Sequence, residues 1–393
     1  MKKYLILVVS RLLLGSGQLV KEASDNVWVL PCTELLENYQ DFPAKEWNEV
    51  VLGKGETEHL QVVLNTIPKE KITISSSIPE AFNVHYRMLT DIDGYKDALV
   101  PFVSTIQATG STSVVWLTFE TPRNSQPGTY EYTVSIKTLR NSINLKFKVR
   151  VADYEIPLTP SIPSEFCIDI DNLPDNGSDE QKELWNEFLL SRRIDPYYGK
   201  LIDRNTWRWD NCFSPWPWDD PRSRKLLQDK RFCRFALPCM LEDDELLRMC
   251  NDMEEKGYFD RCYFYIWDEP KTPEHYEQIA KESAHILSLK PNAKMLVPIS
   301  SFLVEGEHKW DYDYTFDFLT KYVKIFPIAA EQYNCENSGA EKFRKLVEPR
   351  AEWWTYVCCG PTGVQPNFLF AQTPFHNRAI MWRVWKEQET GFL

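Results

Sequence analysis

The sequence predicts a two-domain protein in which an N-terminal antiparallel β-sandwich is followed by a (β/α)8 barrel of the TIM type. Three observations lead to this prediction. At 393 residues the chain is long enough for two domains. Short strands of alternating polarity fill residues 26–156. After a proline-rich linker at 157–163, the pattern changes to strands that alternate with helices over residues 164–393.

The N-terminal part contains two runs that alternate strictly between apolar and polar residues, at 130–136 and 145–151. The Asn-Ser pair at 141–142 lies between them, as in a β-hairpin. Further strands are predicted at residues 60–64, 72–75 and 114–119. Many short strands without a convincing helix favour an antiparallel sandwich, and because no catalytic cluster stands out we interpret it as a packing domain.

Strands and helices alternate in the second part. The apolar runs that predict strands one to seven lie at residues 166–170, 193–197, 232–237, 263–267, 295–299, 323–328 and 353–358. Helix boundaries between them are marked by Ser178 with Gln181, a capping box, and by Gly257, a C-cap. Residues 391–393 begin an eighth strand. The sequence therefore predicts a barrel that ends at the start of strand 8 and is incomplete at its C-terminus.

An aromatic strand followed by two acids is the feature around which we predict the chemistry. The run at 263–267 leads directly into Asp268, Glu269 and Pro270. Two neighbouring acids on a regular strand would point to opposite faces, and one would be buried. Pro270 ends the strand, and an irregular backbone there can turn both carboxylates toward one site. Chemistry on such barrels takes place where strands end, so Asp268 and Glu269 are predicted to be catalytic.

The adjacency of the two acids favours one kind of glycosidase chemistry. Ordinary two-carboxylate mechanisms place the acids about 5 to 10 Å apart on opposite sides of the scissile bond, which neighbouring residues rarely achieve. Adjacent acids suit substrate assistance, in which the sugar's own 2-acetamido oxygen attacks the anomeric carbon. Asp268 would then orient the acetamido group and stabilise the oxazolinium charge. Glu269 would protonate the leaving oxygen and later activate water.

Aromatic residues around the predicted barrel are candidates for binding a sugar. Indole faces pack against the C–H faces of sugar rings, and tyrosine hydroxyls hydrogen-bond to acetamido oxygens. The candidates are Trp207, Trp209, Trp216 and Trp218 in one loop, Tyr333 after strand six, and Trp354 and Tyr356 on one face of strand seven. Packing over the barrel rim is the alternative for the loop, and core packing is the alternative for strand seven.

Composition argues against several other functions. A net charge of -12 argues against nucleic acid as a partner, because phosphate binding requires a basic face. The 10 cysteines form no CxxC pair and the 6 histidines have no ligand spacing, so no metal site and no cofactor are predicted. Cysteines within apolar runs, namely Cys167, Cys233, Cys262 and Cys358, are predicted to be buried small hydrophobes.

The N-terminus predicts export. Residues 1–22 resemble a secretory signal peptide, because lysines at the start precede an apolar run at 5–14. No later stretch reaches the roughly 18 apolar residues of a membrane-spanning helix. We therefore expect a periplasmic, cell-surface or secreted protein without a transmembrane segment.

Specific motifs resemble a known family. Residues 265–270, Tyr-Ile-Trp-Asp-Glu-Pro, resemble the catalytic strand of glycoside hydrolase family 123, the β-N-acetylgalactosaminidases, and of a related uncharacterised domain family. The block 353–393 is similar to the family's C-terminal block, with Gly-Pro-Thr-Gly at 360–363, Pro-Asn-Phe at 366–368 and His-Asn-Arg at 376–378. The resemblance extends from about residue 26 to the end.

The resemblance implies an exported, retaining glycosidase that uses substrate assistance. Asp268 and Glu269 match the family's catalytic pair residue for residue, and Asn367 in the C-terminal block is a further candidate for binding substrate. Members of the family continue beyond Gly-Phe-Leu into sequence that completes strand eight. We therefore expect this chain to be short at its C-terminus.

The predicted function is that of an exo-acting β-N-acetylgalactosaminidase on glycans or glycolipids with a terminal N-acetylhexosamine. Two alternatives stay open. One is a barrel glycosidase with another substrate, and the other is a carbohydrate-binding protein or inactive truncated homologue without catalysis.

Overall fold

The fold was obtained as a computed structural model. It describes residues 27–34, 48–77, 79–92, 95–169, 177–203, 208–300, 312–332, 344–369 and 372–393. The chain divides into two compact units, Met1–Ile156 and Pro157–Leu393. The predicted signal peptide at 1–22 lies outside the described residues.

The described part of the first unit consists of strands in two five-stranded sheets. The strands are β1 (Val27–Pro31), β2 (Glu49–Lys54), β3 (Thr57–Asn65), β4 (Lys71–Ser77), β5 (Asn83–Ile92), β6 (Tyr95–Phe102), β7 (Thr105–Gln107), β8 (Thr112–Glu120), β9 (Gly128–Lys137) and β10 (Ser142–Glu155). The sheet orders are β1-β3-β8-β5-β6 and β2-β10-β9-β4-β7. Strand β10 alternates between exposed and buried residues, because one face of its sheet faces a core.

Aromatic side chains join the two sheets of the first unit. The ring of Phe119 on β8 meets the edge of Tyr132 on β9 at 5.7 Å between centroids, and Tyr132 stacks on Phe147 at 5.9 Å. All three are buried. Rings in such arrangements stabilise a core beyond the apolar area they bury.

The second unit alternates strands with helices. The strands are β11 (Glu165–Asp169), β12 (Asp195–Asp203), β13 (Arg208–Cys212), β14 (Phe235–Leu237), β15 (Cys262–Tyr265), β16 (Met295–Leu296), β17 (Val323–Ala329), β18 (Glu352–Tyr356) and β19 (Gly391–Phe392). The helices are α1 (Asp179–Ser191), α2 (Pro221–Gln228), α3 (Asp243–Glu255), α4 (Pro273–Leu289), α5 (Tyr312–Leu319) and α6 (Pro374–Glu387). No described helix has the length and apolar character needed to cross a membrane.

Local sequence signals explain where several helices begin. The Ser178 hydroxyl accepts a hydrogen bond from the backbone N–H of Gln181 at the start of α1. The Thr272 hydroxyl does the same for His275 at the start of α4, where Pro273 occupies the first turn. Such caps satisfy amides that have no partner within the helix. The start of α4 directly after the acid pair is therefore set by neighbouring residues.

The strands of the second unit form two sheets. Strands β14 to β19 form a six-stranded parallel sheet in sequence order, and β11, β12 and β13 form a separate three-stranded sheet. Among the described residues, a parallel bridge between Ser164 and Phe392 connects the edge of one sheet, at β11, to the edge of the other, at β19.

The prediction of a (β/α)8 barrel that ends at the start of strand 8 is wrong. The sheets are curled, but no ladder joins β13 to β14 within the described residues, and the strands do not close. The reason lies in β13, which pairs antiparallel with β12 while β11 pairs with β12 in parallel. With a neighbour on each side, β12 has no edge for β14. The residues of β13 contain no apolar run, and the sequence therefore predicted a loop there.

The six-stranded sheet is covered differently on its two faces. Residues such as Phe235, Phe264 and Trp353 pack with the helices in the large core of the unit. The opposite face carries a smaller buried cluster that includes Tyr263, Tyr265, Leu296, Ile325 and Trp354. This second face leads to the acid pair.

Charged groups lie at the start of several strands on this second face. The Arg234 guanidinium donates to both carboxylate oxygens of Glu352 at 2.7 Å, and Lys294 lies 3.6 Å from the same carboxylate. The Tyr263 hydroxyl donates a hydrogen bond to the buried carboxyl of Glu165. Burial raises the pKa of Glu165 well above its usual range. These ion pairs and hydrogen bonds provide partners for the polar side chains at the start of the strands.

Candidate active site

The acid pair follows β15 on an irregular stretch of backbone. Strand β15 ends at Tyr265, and Asp268 and Glu269 come three and four residues later. Glu269 has a φ of 46°, in the left-handed region that few residues other than glycine adopt. Strain of this kind costs roughly 1–3 kcal/mol and is often found at functional sites. The turn interrupts the alternation that would otherwise separate the two carboxylates.

Asp268 is held by a phenol of the strand that precedes it. The Tyr265 hydroxyl donates a 3.0 Å hydrogen bond to Oδ1 of Asp268. Burial and, to a lesser extent, the nearby charge of Glu269 raise the pKa of Asp268 to about 6, although the Tyr265 hydrogen bond and the charge of Lys271 act in the opposite direction. The two carboxylates are therefore close enough to repel each other.

Glu269 is held by a phenol from a distant strand. The Tyr356 hydroxyl at the end of β18 donates a 2.6 Å hydrogen bond to Oε1 of Glu269. Burial and the charge of Glu269 raise the pKa of Tyr356, so that its hydroxyl keeps its proton and remains a donor. Oε2 of Glu269 is not engaged by Tyr356.

Aromatic rings of the curled face lie beneath the acids. Tyr197 on β12 stacks on Tyr265 at 6.3 Å between ring centroids. Burial raises the pKa of both phenols well above the usual range, and the charge of Asp268 contributes to each. Sequence reasoning assigned neither tyrosine to the site. Both lie within predicted strands, and the alternation of side chains between the two faces of a strand is the signal that could have placed them on the side of the site.

Cys167 lies close to Asp268. It belongs to β11, and the residue is exposed. Surrounding protein nevertheless desolvates it enough to raise its pKa to about 11, and the charge of Asp268 contributes to that shift. The expectation that Cys167 would be a buried small hydrophobe is therefore wrong.

Trp209 is the described member of the tryptophan-rich segment that lies close to Cys167. It lies on β13 above Gly199, where an added Cβ would come within 3.2 Å of the indole and 2.9 Å of the Cys167 sulfur. Trp209 therefore shares the face of Cys167. The residue was predicted to lie in a loop. Trp207, predicted in the same loop, lies outside the described residues, as does Tyr333.

Trp216 and Trp218 are engaged elsewhere. The Trp216 indole N–H donates to Asp179 at 2.8 Å, and the Arg222 guanidinium lies 4.6 Å over the ring. Trp218 has Arg224 and Arg248 over its ring at 5.7 and 5.2 Å.

Trp218 lies in a cavity formed by α2 and α3. This surface cavity of about 590 Å³ is lined by Trp218, Asp219, Arg224, Asp244, Leu247, Arg248, Asn251, Asp252 and Glu255. The lining does not include Asp268 or Glu269. With only 6% of Trp218 exposed, its ring has little face available to a sugar.

Trp354 shares a face with Tyr356, as the alternation predicts, but lies deeper. It is fully buried, meets the edge of Tyr263 at 6.0 Å and packs over Gly391. These are contacts of the interior layer. Contact with the sugar is therefore not available to Trp354 in this arrangement.

Asn367 holds a loop beside the acid pair. Its Nδ2 donates at 3.0 Å to the carbonyl oxygens of Cys358 and Pro361, and its side chain is buried. The Cys358 N–H donates to Gly360 O at 2.9 Å within the same turn. Asn367 thus organises backbone close to Tyr356 through its own side chain.

The arrangement can carry out acid–base chemistry. Two carboxylates with separate phenol donors meet after the end of a strand, close to Tyr197 and Cys167. Within the described ranges, no three His, Cys, Asp or Glu side chains converge to hold a metal ion.

Comparisons with known proteins agree with the resemblance noted in the sequence. Residues 242–393 match the family model described as glycoside hydrolase 123, catalytic domain. A family 123 glycoside hydrolase from Clostridium perfringens, described in connection with glycolipid glycan hydrolysis, is 15% identical with a TM-score of 0.56. The similarity covers 94% of this chain and 78% of that one. At this identity the structural similarity speaks for the fold alone.

A second solved structure is more distant. A β-D-glucuronidase from Dictyoglomus thermophilum is 9% identical with a TM-score of 0.31, over 84% of this chain and 62% of that chain. Similarity at that TM-score does not define a shared fold. No curated protein matches the sequence. The predicted family resemblance is confirmed by the match over residues 242–393, which supports glycosidase activity.

Proposed function

We propose, with the glycoside hydrolase 123 match of residues 242–393 as premise, that the chain is an exo-acting β-N-acetylgalactosaminidase with a retaining, substrate-assisted mechanism. The observation that carries the proposal is the pair Asp268 and Glu269, adjacent in sequence and each bound by a different tyrosine hydroxyl. Neighbouring acids rarely flank a scissile bond in the manner of the ordinary two-carboxylate mechanisms. They suit a reaction in which the substrate supplies the nucleophile.

In the first proposed step, the acetamido oxygen attacks the anomeric carbon as the glycosidic bond breaks. Glu269 gives a proton to the leaving oxygen, and Asp268 accepts a hydrogen bond from the acetamido N–H. The Tyr265 hydroxyl occupies Oδ1 of Asp268 and leaves Oδ2 for the substrate. The negative charge of Asp268 stabilises the positive oxazolinium ring that forms.

In the second proposed step, Glu269 takes a proton from water, and the oxygen of that water attacks the anomeric carbon. The oxazolinium ring opens and restores the acetamido group. Two inversions at the anomeric carbon give retention of configuration. Tyr356 holds Oε1 of Glu269, so Oε2 is the oxygen that would carry the proton in both steps.

The proposed substrates are glycans with a terminal β-linked N-acetylgalactosamine. Trp209, half-buried on the same face as Cys167, supports a site in which an indole packs against one terminal sugar near Asp268. A glycolipid glycan is one proposed source of that sugar, in keeping with the description of the Clostridium perfringens protein. We also propose export, on the basis of residues 1–22.

The decisive assay compares the p-nitrophenyl β-glycosides of N-acetylgalactosamine, N-acetylglucosamine and galactose. Cleavage that requires the acetamido group, with β-configured sugar as the first product by NMR, is the expected result. Equal cleavage of the plain galactoside would contradict substrate assistance. Inhibition by the thiazoline analogue of N-acetylgalactosamine, a stable mimic of the oxazoline, gives an independent check.

A further inference from the structure

Cys358 and Cys359 are adjacent in the chain and lie beside the acid pair. Both are exposed, and their sulfur atoms are 3.8 Å apart. The expectation that Cys358 would be buried is therefore wrong. The pair follows Tyr356, the donor to Glu269, after a single intervening residue.

We propose that Cys358 and Cys359 are a modification site, at which exchange with a low-molecular-weight disulfide closes an intramolecular disulfide. In the first step one thiolate attacks the small disulfide and releases one small thiolate. In the second step the other cysteine thiolate attacks the mixed disulfide and releases the second. The protein loses two electrons and two protons, and the small disulfide is reduced to two thiols.

The ring between neighbouring cysteines is strained, which makes it reversible. Adjacent Cα atoms across a trans peptide are about 3.8 Å apart. Disulfides usually join Cα atoms about 4.4–6.8 Å apart, and departures from this range make the bond easier to reduce. Exposed, strained disulfides are the labile ones. The pair is therefore suited to respond to the thiol–disulfide balance rather than to staple the fold.

The hydrogen bonds of the loop link ring closure to the loop conformation. Closing the ring must bring sulfur atoms that are 3.8 Å apart to a bond length of about 2.05 Å, so we infer a rotation of the backbone between Cys358 and Cys359. The carbonyl of that peptide accepts from Nδ2 of buried Asn367 at 3.0 Å. The Cys358 N–H donates to Gly360 O. Rotation would leave part of a buried amide without a partner, and the loop must rearrange to satisfy it.

The rearranged loop would carry its change to Glu269. Partial desolvation raises the pKa of Cys358, and the Cys359 thiol and the Glu269 carboxylate raise it further, so the thiol lies within electrostatic reach of the acid. Tyr356 and Cys358 share one short backbone segment. A shift of ~1 Å at a catalytic group costs on the order of a hundredfold in rate. The consequence for hydrolysis rests on the proposed function, whereas ring closure itself does not.

The test exposes the full chain to buffers of increasing oxidised-to-reduced glutathione ratio. Free thiols are alkylated, and the peptide that contains both cysteines is analysed by mass spectrometry. We expect it to change from the doubly alkylated form to an internal disulfide lacking two hydrogen atoms. Cys358→Ser and Cys359→Ser each should instead carry one glutathione. A wild-type peptide without the internal disulfide at any ratio, whatever else it carries, would overturn the proposal.

A second readout is hydrolysis of the N-acetylgalactosaminide. We expect kcat of the oxidised protein to fall at least tenfold and to return with dithiothreitol, on the order of the misplacement cost above. The double variant C358S/C359S should keep its activity at every ratio. An unchanged kcat in fully oxidised protein would refute the link to Glu269. Absence of hydrolysis in the reduced protein would contradict the proposed function and leave the mass readout intact.

Discussion

The Tyr356 hydroxyl donates a 2.6 Å hydrogen bond to Oε1 of Glu269, a residue 87 positions earlier in the chain. Tyr356 ends β18 and Glu269 follows β15, and these two strands are separated in the sheet by β16 and β17. Three strand spacings of about 4.8 Å amount to roughly 14 Å in a flat sheet. The curl of the sheet brings the two side chains together, so this contact depends on the tertiary fold.

Replacing Tyr356 with phenylalanine tests that contact. The ring keeps its packing while Glu269 loses a hydrogen bond to a charged group, worth about 1.5–3 kcal/mol. We expect kcat to fall ~10- to 100-fold with little change in KM. Tyr198→Phe, which removes a buried hydrogen bond to Asn186 on α1, is the matched control and should leave kcat unchanged. Equal losses in both variants would assign Tyr356 a merely structural role.

Replacing Glu269 with glutamine tests general acid–base catalysis. Glutamine accepts the Tyr356 hydrogen bond but cannot donate a proton as an acid does, so we expect kcat to fall by about 10²- to 10⁴-fold with sugar binding retained. Glu277→Gln, at an exposed position of α4, is the control. An E269Q variant that keeps both its full kcat and its sugar binding by calorimetry would contradict a catalytic role for Glu269.

Replacing Asp268 with asparagine should cripple the enzyme and stabilise the fold. The pKa of Asp268 is raised from 3.8 to about 6, so its ionisation costs the folded state nothing below pH 3.8 and the full amount above pH 6. The difference corresponds to at most roughly 3 kcal/mol. We expect D268N to raise Tm at pH 7 and to leave it unchanged near pH 3.5. Exposed Asp244→Asn should change Tm little at either pH. A lower Tm for D268N at pH 7 would contradict the assigned desolvation.

The pH profile should report the same carboxylate. Because Asp268 must be ionised to accept the acetamido N–H, kcat/KM should fall as pH drops below about 6. Tyr265→Phe removes a donor that lowers the pKa of Asp268, so the acidic limb should move to higher pH. Tyr198→Phe should leave the limb in place. A limb that does not move in Y265F would separate Tyr265 from the titrating group.

Replacing Gly391 with alanine tests the pairing of β18 with β19. An added Cβ would lie 2.3–2.6 Å from three atoms of the buried Trp354 indole. We expect a loss of about 1–3 kcal/mol in the free energy of unfolding, because the fully buried ring has little room to move. Gly110→Ala, whose nearest atom is 3.8 Å from the added Cβ, should be nearly neutral by denaturant titration.

Local features of the site could be read from the sequence. The aromatic run before Asp268, the proline after Glu269 and the cap at Thr272 are neighbours in the chain, and they predict a strand, a break and a helix. The structure has β15, the left-handed turn at Glu269 and α4 in those places. Each of these elements depends on residues within a few positions of it.

Long-range features could not be read in the same way. Alternation placed Trp354 and Tyr356 on one face of the strand but did not indicate how deeply each side chain is buried. Trp354 is fully buried, whereas Tyr356 donates to Glu269. The tryptophan-rich segment showed no sign that Trp209 belongs to β13 whereas Trp216 and Trp218 contact arginines. Pairing of β13 with β12 is a register choice between strands. That single choice removes the edge on which barrel closure depended.

The bridge between Ser164 and Phe392 bears on how the second unit folds. It joins residues at opposite ends of that unit, whereas β15 to β18 pair with near neighbours in sequence. Contacts over long loops form late because the entropy of loop closure must be overcome first. We expect amides of β15 to β18 to gain protection from hydrogen exchange before that of Phe392. The polypeptide would then assemble its acid pair and Tyr356 before its two sheets are joined.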